Sequence, residues 1–305
     1  MFTLAALYQF TRLADPVAMR QKLEDACAAR NLIGLLLVAE EGINGTLAGT
    51  REDLASFRDF LLAEGSFFAG RLSWKYSTAT AKPYRDLRVK LKPEIVTLRV
   101  PGLDPAAQVG TYVKPAEWNG LISQPDVVLV DTRNHYEARI GTFENAIDPQ
   151  TENFSQFPQW VAQNLDPQKH PRVAMFCTGG IRCEKSTSLL LKQGFKEVFH
   201  LQGGILQYLE EIPEAESKWR GECFVFDTRA AVGHGLAEGD ARICFHCGHP
   251  VTREEQALPD WDRRQRCAKC AAGGATTARS AKRAARRRAK SAAKRAARRG
   301  EEGRL

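Results

Sequence analysis

Phe176-Cys177-Thr178-Gly179-Gly180-Ile181-Arg182-Cys183-Glu184-Lys185-Ser186 decides the fold of this 305-residue chain. Val173-Ala174-Met175-Phe176 is a β-like apolar run, and Cys177 ends it. The loop Thr178-Gly179-Gly180-Ile181-Arg182 follows, and the pattern predicts a helix from near Glu184. In that geometry the backbone N–H groups of the loop and of the helix's first turn converge on the sulfur, with the positive end of the helix dipole behind them. Such a nest favours an anion, so it lowers the thiol pKa from roughly 8.5 and holds a thiolate ready to attack. Burial as inert packing is the usual fate of a free thiol. Two adjacent glycines and an arginine serve no packing purpose around one, and Cys177 is the candidate nucleophile.

The spacing also separates two chemistries. A phosphatase loop places arginine after cysteine and five intervening residues, long enough to wrap a phosphate. Here Arg182 follows Cys177 after four, and Cys183 holds the later position. The shorter loop encloses a smaller space, suited to a sulfur carried on the cysteine, and phosphatase activity is disfavoured. The loop resembles that of rhodaneses, sulfurtransferases that carry a persulfide on cysteine. Val127-Val128-Leu129-Val130-Asp131-Thr132-Arg133, with Tyr136-Glu137 and Gly141, resembles the rhodanese strand ending in Asp-x-Arg. Val198-Phe199-His200-Leu201-Gln202-Gly203-Gly204-Ile205 resembles its closing strand and turn, whereas Gly141-Thr142-Phe143 departs from the usual Gly-His-Ile.

Longer phrases narrow the resemblance. These are Gly110-Thr111-Tyr112-Val113-Lys114-Pro115-Ala116-Glu117-Trp118-Asn119, Ala146-Ile147-Asp148-Pro149, Glu40-Glu41-Gly42-Ile43-Asn44-Gly45-Thr46 and Cys223-Phe224-Val225-Phe226-Asp227. Together with the Cys177 loop they resemble the oxygen-dependent tRNA uridine hydroxylases of bacteria, from about Leu4 to Cys270. The resemblance implies conversion of the wobble uridine in the tRNA anticodon loop to 5-hydroxyuridine, with molecular oxygen as co-substrate.

Around the loop, strands alternate with helices. Val127 to Val130, Val173 to Phe176 and Val198 to Leu201 are short β-branched runs, as in a parallel sheet buried on both faces. Cys177 then lies past a strand's carboxyl end, where open α/β sheets place ligands. Upstream, residues 1–93 read strand, helix, strand, strand, helix, strand, the order of a ferredoxin-like α+β unit. The expected organisation is a ferredoxin-like domain over 1–93, a Pro/Gly-marked linker over 94–110, a rhodanese-like α/β domain over 111–215, a cysteine segment over 216–272 and a basic tail over 273–305. No apolar run reaches the length of a membrane span. With no secretory leader pattern at the N-terminus, the expected compartment is the cytoplasm, with no membrane partner.

Cys244-Phe245-His246-Cys247 and Cys267-Ala268-Lys269-Cys270 are two Cys-x-x-Cys pairs separated by 19 residues. That spacing suits one structural zinc held by four thiolates, which would leave no open position for chemistry. It would also stabilise a segment too small for a core of its own.

The net charge of +8 is misleading unless located. From Ala271 onward there are 12 Lys/Arg and 2 Glu, so the preceding body carries a slight acidic excess. Arg279, Arg283, Arg286, Lys290, Lys294 and Arg298 recur every three or four residues, as a basic stripe if helical. Like charges at that density oppose folding in isolation and favour ordering on a polyanion such as RNA; a solvating tail is the other reading. Lys82, Arg85, Arg88, Lys90 and Lys92 form a second basic cluster, either a tRNA contact or a solvated sheet edge.

Cys27 falls on the apolar side of a helix, and Cys223 is unassigned. Cys183 is either structural or a resolving thiol for Cys177. Arg182 closes the loop and is placed to stabilise the thiolate or orient substrate, with Lys185 a weaker candidate and Asp131 and Arg133 secondary ones. There is no dinucleotide fingerprint, haem motif or apparent iron triad. Two alternatives to the hydroxylase reading stay open: a sulfurtransferase carrying a persulfide on Cys177, and a non-catalytic tRNA-binding protein.

Overall fold

The computed structural model describes residues 1–63, 68, 72–259, 261 and 267–271. The basic tail, with Arg279, Arg283, Arg286, Lys290, Lys294 and Arg298, lies outside the described residues. Those that are described fall into two units, Met1–Gly239 and Asp240 onward.

The first unit opens with strand β1 (Phe2–Phe10) and helix α1 (Pro16–Ala28). Asp15 caps α1 by accepting the Ala18 N–H at 2.9 Å, and Pro16 presets the first helical φ. Met19, Leu23, Ala26 and Cys27 recur at helical spacing and are buried. Then come β2 (Ile33–Ala39), β3 (Gly42–Gly49), α2 (Arg51–Ala63), β4 (Ser73–Ala79) and β5 (Leu87–Leu91). The strands lie in the order β4-β1-β3-β2-β5, the split βαβ arrangement expected, with β5 added parallel to β2 at the edge. Alternation assigns Ala5, Leu7, Leu36, Val38, Ile43 and Leu47 to the helix-covered face, where they pack with Leu23, Leu54 and Phe57. The opposite face bears Ala6, Tyr8, Leu35, Leu37, Asn44 and Thr46, and among the described residues no helix of this domain covers it.

The second domain comprises β6 (Thr111–Val113), α3 (Pro115–Ile122), β7 (Val127–Asp131), α4 (His135–Ala138), β8 (Gly141–Phe143), α5 (Phe157–Asn164), β9 (Arg172–Phe176), α6 (Ile181–Lys192), β10 (Glu197–Leu201) and α7 (Gly204–Glu211). Its parallel sheet runs β6-β10-β9-β7, with Val173, Ala174, Met175 and Phe176 all buried in the central strand. Trp118, Phe143, Phe176, Tyr208 and Trp219 pack over one side of the sheet, with Phe143 edge-to-face against Phe176, Tyr208 and Trp219 and Trp118 edge-to-face against Phe176.

Helix α6 begins at Ile181, about one turn before the expected start near Glu184. Gly180 at φ +99° turns the chain directly into helix, so Arg182 and Cys183 are already helical. Residues 216–239, assigned from sequence to the cysteine segment, pack within the first unit instead. There β11 (Trp219–Gly221) pairs with β8, and β12 (Cys223–Phe224) forms a hairpin with β13 (Ala231–Val232). The physical reason is burial: Trp219, Cys223, Val225 and Val232 complete the core of the second domain.

In the second unit β14 (Arg242–Ile243) pairs with β15 (Pro250–Val251), followed by α8 (Arg253–Gln256) and the turn of α9 (Ala268–Ala271). No helix among the described residues is long and apolar enough to cross a membrane.

Candidate active site and metal centre

Cys177 directly follows β9 with its side chain fully buried, and its sulfur accepts the Gly180 N–H at 3.1 Å. Burial alone would push the thiol pKa up. The Cys183 thiol, the Arg182 guanidinium and the backbone N–H groups of Cys183 and Arg182 outweigh it and bring the thiol down to about 5. Cys183, buried against the same sulfur and 3.7 Å from the Thr132 hydroxyl, is pushed up by burial and by that neighbouring thiolate. One sulfur of the pair is thus an anion and its neighbour a hydrogen-bond donor. The turn is closely fitted: a Cβ on Gly204 would stand 2.5 Å from the Cys177 carbonyl oxygen and 2.7 Å from the Gly180 nitrogen.

Arg182 does not extend into solvent. Its guanidinium donates to both oxygens of Glu137, at 2.7 and 2.8 Å, and to the Thr178 hydroxyl at 3.2 Å. It therefore acts on the sulfur through space as a fixed, buried charge. Asp131 and Arg133 form a second buried pair, with Arg133 also donating to the Gly141 carbonyl at 2.6 Å and stacking 5.1 Å from the Trp219 ring. This pair ties β7 to β8 beneath the loop. Lys185 is held by Glu41 at 2.7 Å and Glu94 at 2.6 Å, so its ammonium joins the two domains and serves neither sulfur nor phosphate. Cys27 and Cys223 are both pushed up to about 12 by burial. Neither is a nucleophile at neutral pH.

The loop forms one wall of a cleft of about 1400 Å³. Cys177, Thr178, Gly179, Ile181 and Arg182 line it from the second domain, and the uncovered sheet face lines it from the first, through Ala6, Tyr8, Leu35, Leu37, Asn44 and Thr46. Val225, Phe226 and Asp227 complete the rim, with Phe226 61% exposed. The phrases 40–46 and 223–227, which had no chemistry of their own in the sequence, thus meet at this cleft. Glu41 clasps Lys185 and accepts the Ile95 N–H at 2.6 Å, while the Asn44 amide donates to the Ile95 carbonyl at 2.9 Å. Arg88 and Lys90, exposed on β5, are in register with Leu35 and Leu37 and share their sheet face. Lys82 and Arg85 are exposed in the preceding turn, Arg85 3.6 Å from Asp86. Sequence reasoning missed Tyr8, Glu137 and Glu184, whose partners are distant in the chain; Glu137 and Glu184 at least stand in quoted motifs, and nothing in the sequence marked Tyr8.

In the second unit the sulfurs of Cys244, Cys247, Cys267 and Cys270 all lie within 4.8 Å of one another. Cys247 and Cys267 are 4.0 Å apart, against about 3.8 Å expected between thiolates sharing a tetrahedral zinc. Gly248 N–H donates to the Cys244 carbonyl at 2.7 Å, and Cys267 N–H to the Cys244 sulfur at 3.4 Å, as knuckles around a metal require. The site fits one ion held by four sulfurs.

The fold and loop define a protein that joins an acylphosphatase-like domain to a rhodanese-like domain carrying a poised thiolate. Residues 2–95 match the UPF0176 acylphosphatase like domain family, and residues 114–211 the Rhodanese-like domain family. The chain is 52% identical over 269 residues to the tRNA uridine(34) hydroxylase of Deinococcus radiodurans, covering 88% of each. It is 55% identical to that of Acinetobacter baylyi over 88% of this chain and 84% of the relative. With that of a Jannaschia species it shares 55% identity over 88% and 89%. The chain belongs to the tRNA uridine(34) hydroxylase family, in accord with the resemblance carried by its motifs.

Proposed function

We propose that this protein hydroxylates C5 of uridine 34 in the anticodon loop of tRNA, in the cytoplasm, with Cys177 as the nucleophile and molecular oxygen as co-substrate. Its family membership supports the reaction, and the single structural observation that carries the reading is the buried thiolate facing the interdomain cleft. The net change is a C5–H bond replaced by C5–OH, with oxygen, two electrons and two protons consumed and one water released. The electron donor is a separate two-electron reductant.

The cleft suits a base drawn out of its stack. Anticodon-loop bases splay out more readily than bases in a duplex, and an exposed ring such as Phe226 offers a stacking surface. Arg88 and Lys90, and the tail from Arg279 to Arg298, would supply phosphate contacts without reading sequence. In the reaction, the Cys177 thiolate adds to C6 of the uracil; the C5=C6 electron pair moves toward the C4 carbonyl and makes C5 a carbon nucleophile. Arg182 stabilises the thiolate before attack and after its release. The zinc held by Cys244, Cys247, Cys267 and Cys270 would shape the second unit, its four thiolates leaving no open coordination position.

A persulfide on Cys177 is the second route, favoured by the rhodanese-like loop. Trapping with 5-fluorouridine tRNA separates the two, since only attack at C6 leaves a protein–RNA adduct. The reaction itself is tested by digesting total tRNA from a strain lacking the gene, complemented with wild type or Cys177→Ala. Mass spectrometry should find 5-hydroxyuridine and its derivatives restored by the wild type alone. Restoration by Cys177→Ala would overturn the role of the thiol.

A further inference from the structure

Hydroxylation at C5 by this route leaves a proton to be removed. After the oxygen is in place, the C5–H bond must break and its electron pair must form the C5=C6 double bond. The C6–S bond then breaks and returns its pair to the sulfur as thiolate. A base is needed within reach of the cleft, and Cys177 is the leaving group in that step.

Among the described residues lining the cleft, the carboxylates are Glu184 and Asp227. Asp227 is engaged by Arg229 through both oxygens, at 2.9 and 2.6 Å, and Arg229 also donates to the Thr78 carbonyl at 3.0 Å. That pair reads as a structural tie between domains. Glu184 is placed differently. It stands in the first turn of α6, one turn beyond the loop glycine that binds the sulfur, and it is 6% exposed. The Tyr8 hydroxyl donates to it at 3.0 Å, and the Tyr112 hydroxyl lies 2.8 Å from each of its oxygens. Both phenols line the same cleft as Cys177. Tyr8 also reaches the loop itself: a Cβ on Gly180 would meet its hydroxyl oxygen at 2.8 Å. Burial, followed by the charges of Glu184 and Cys177, holds the Tyr8 phenol well above its ordinary pKa, so it remains an O–H donor toward the carboxylate.

We propose that Glu184 is the proton acceptor for the C5–H of the uracil, positioned by Tyr8 from the first domain and Tyr112 from the second. This rests on the hydroxylase reading above. The proton passes to the Glu184 carboxylate, directly or through the Tyr8 hydroxyl, which gives its own proton to Glu184 as it receives the one from carbon. The reaction centre is therefore composite, its nucleophile from one domain and part of its base assembly from the other.

The test uses the full-length protein in a pyrimidine-requiring strain lacking its own copy of the gene. Cells are grown in parallel on unlabelled or on [5,6-²H₂]uracil, and the rate of 5-hydroxyuridine formation is followed by mass spectrometry after induction. Product from the labelled culture keeps its C6 deuterium, and the ratio of the two rates reads C5–H cleavage wherever that step limits turnover. Glu184→Gln, which keeps size and hydrogen bonding, should slow product formation about 100-fold, the lower range for a lost general base. It should also raise the ratio of the unlabelled to the deuterated rate severalfold. Tyr8→Phe should slow it about 10-fold, as expected for one lost hydrogen bond to a charged group, with a shift in the same direction. Its Cys177 should alkylate at the wild-type rate.

A Glu184→Gln enzyme within about 3-fold of wild type, or slower with an unchanged isotope ratio, overturns the assignment. If that variant does not fold, the Tyr8→Phe ratio decides: no shift overturns the proposal. Absence of product from wild type would bring down the hydroxylase reading first, and this one with it.

Discussion

Glu137→Gln isolates the ion pair that holds the loop arginine. Glu137 is fully buried, and its oxygens take both arms of Arg182 at 2.7 and 2.8 Å. At the 2.7 Å separation and an effective dielectric of about 20, the attraction is about 6 kcal/mol. Removing one partner of a buried pair costs about 3–5 kcal/mol, because the remaining charge stays out of water. Glutamine retains an acceptor for one arm and for the Asn134 N–H, so the expected loss is near about 3 kcal/mol. With a urea m-value of about 2–3 kcal/mol/M, the unfolding midpoint should fall by roughly 1 M. A second consequence has a definite sign. With the carboxylate gone, the Arg182 charge is less neutralised at Cys177, so the midpoint of its alkylation should move down in pH. Urea unfolding followed by circular dichroism, and iodoacetamide kinetics against pH, read the two effects. An unmoved urea midpoint, or an alkylation midpoint that rises, would refute the reasoning that Arg182 is a clamped charge acting on the sulfur through space.

Iodoacetamide should modify wild-type Cys177 with a midpoint near pH 5, while Cys27 and Cys223, both pushed up to about 12, stay inert in the folded protein. Because the folded pKa is depressed, this thiolate contributes stability above the unfolded value of roughly 8.5 and loses it as pH falls through about 5. An alkylation midpoint near 8.5 would contradict this. Metal analysis should find about one zinc per chain, lost in Cys247→Ser while the Cys177 alkylation profile is unchanged; full zinc in the serine variant would refute a four-sulfur site. Deleting residues 275–305 should weaken tRNA binding and flatten its salt dependence, and an equal slope with and without the tail would remove the phosphate-contact role.

Much of the architecture was legible because it is local. The run 173–176, the glycines at 179 and 180 and the helix after them are consecutive, so strand, turn and nest follow from neighbouring residues. The pairs Cys244/Cys247 and Cys267/Cys270 are likewise metal spacing in plain sequence. The sequence left open which charges answer which. Arg182 read as a group that stabilises the thiolate or orients substrate, and the structure clamps its guanidinium on Glu137, 45 positions away. Lys185 read as a weaker companion, and it is claimed by Glu41 and Glu94 from the other side of the domain boundary. Tyr8 lies 176 positions from Glu184, and no periodicity in either segment announces that contact. The segment 216–239 misled for the reverse reason. Its short strands lack a strong repeat, and only the partner surface at β8 and the aromatic cluster around Phe143 shows where they belong.

The double clasp of Lys185 by Glu41 and Glu94 limits how such proteins can be rebuilt. A rhodanese module spliced in from elsewhere would bring a loop of suitable shape. Unless its helix also presented a carboxylate and an ammonium at these two places, Tyr8, Glu41 and Glu94 would face nothing that answers them. Glu41 and Glu94 would then be left without the lysine that offsets their burial at the seam. The two domains of this chain thus answer each other as a matched set, and a foreign module would have to supply its half of the seam.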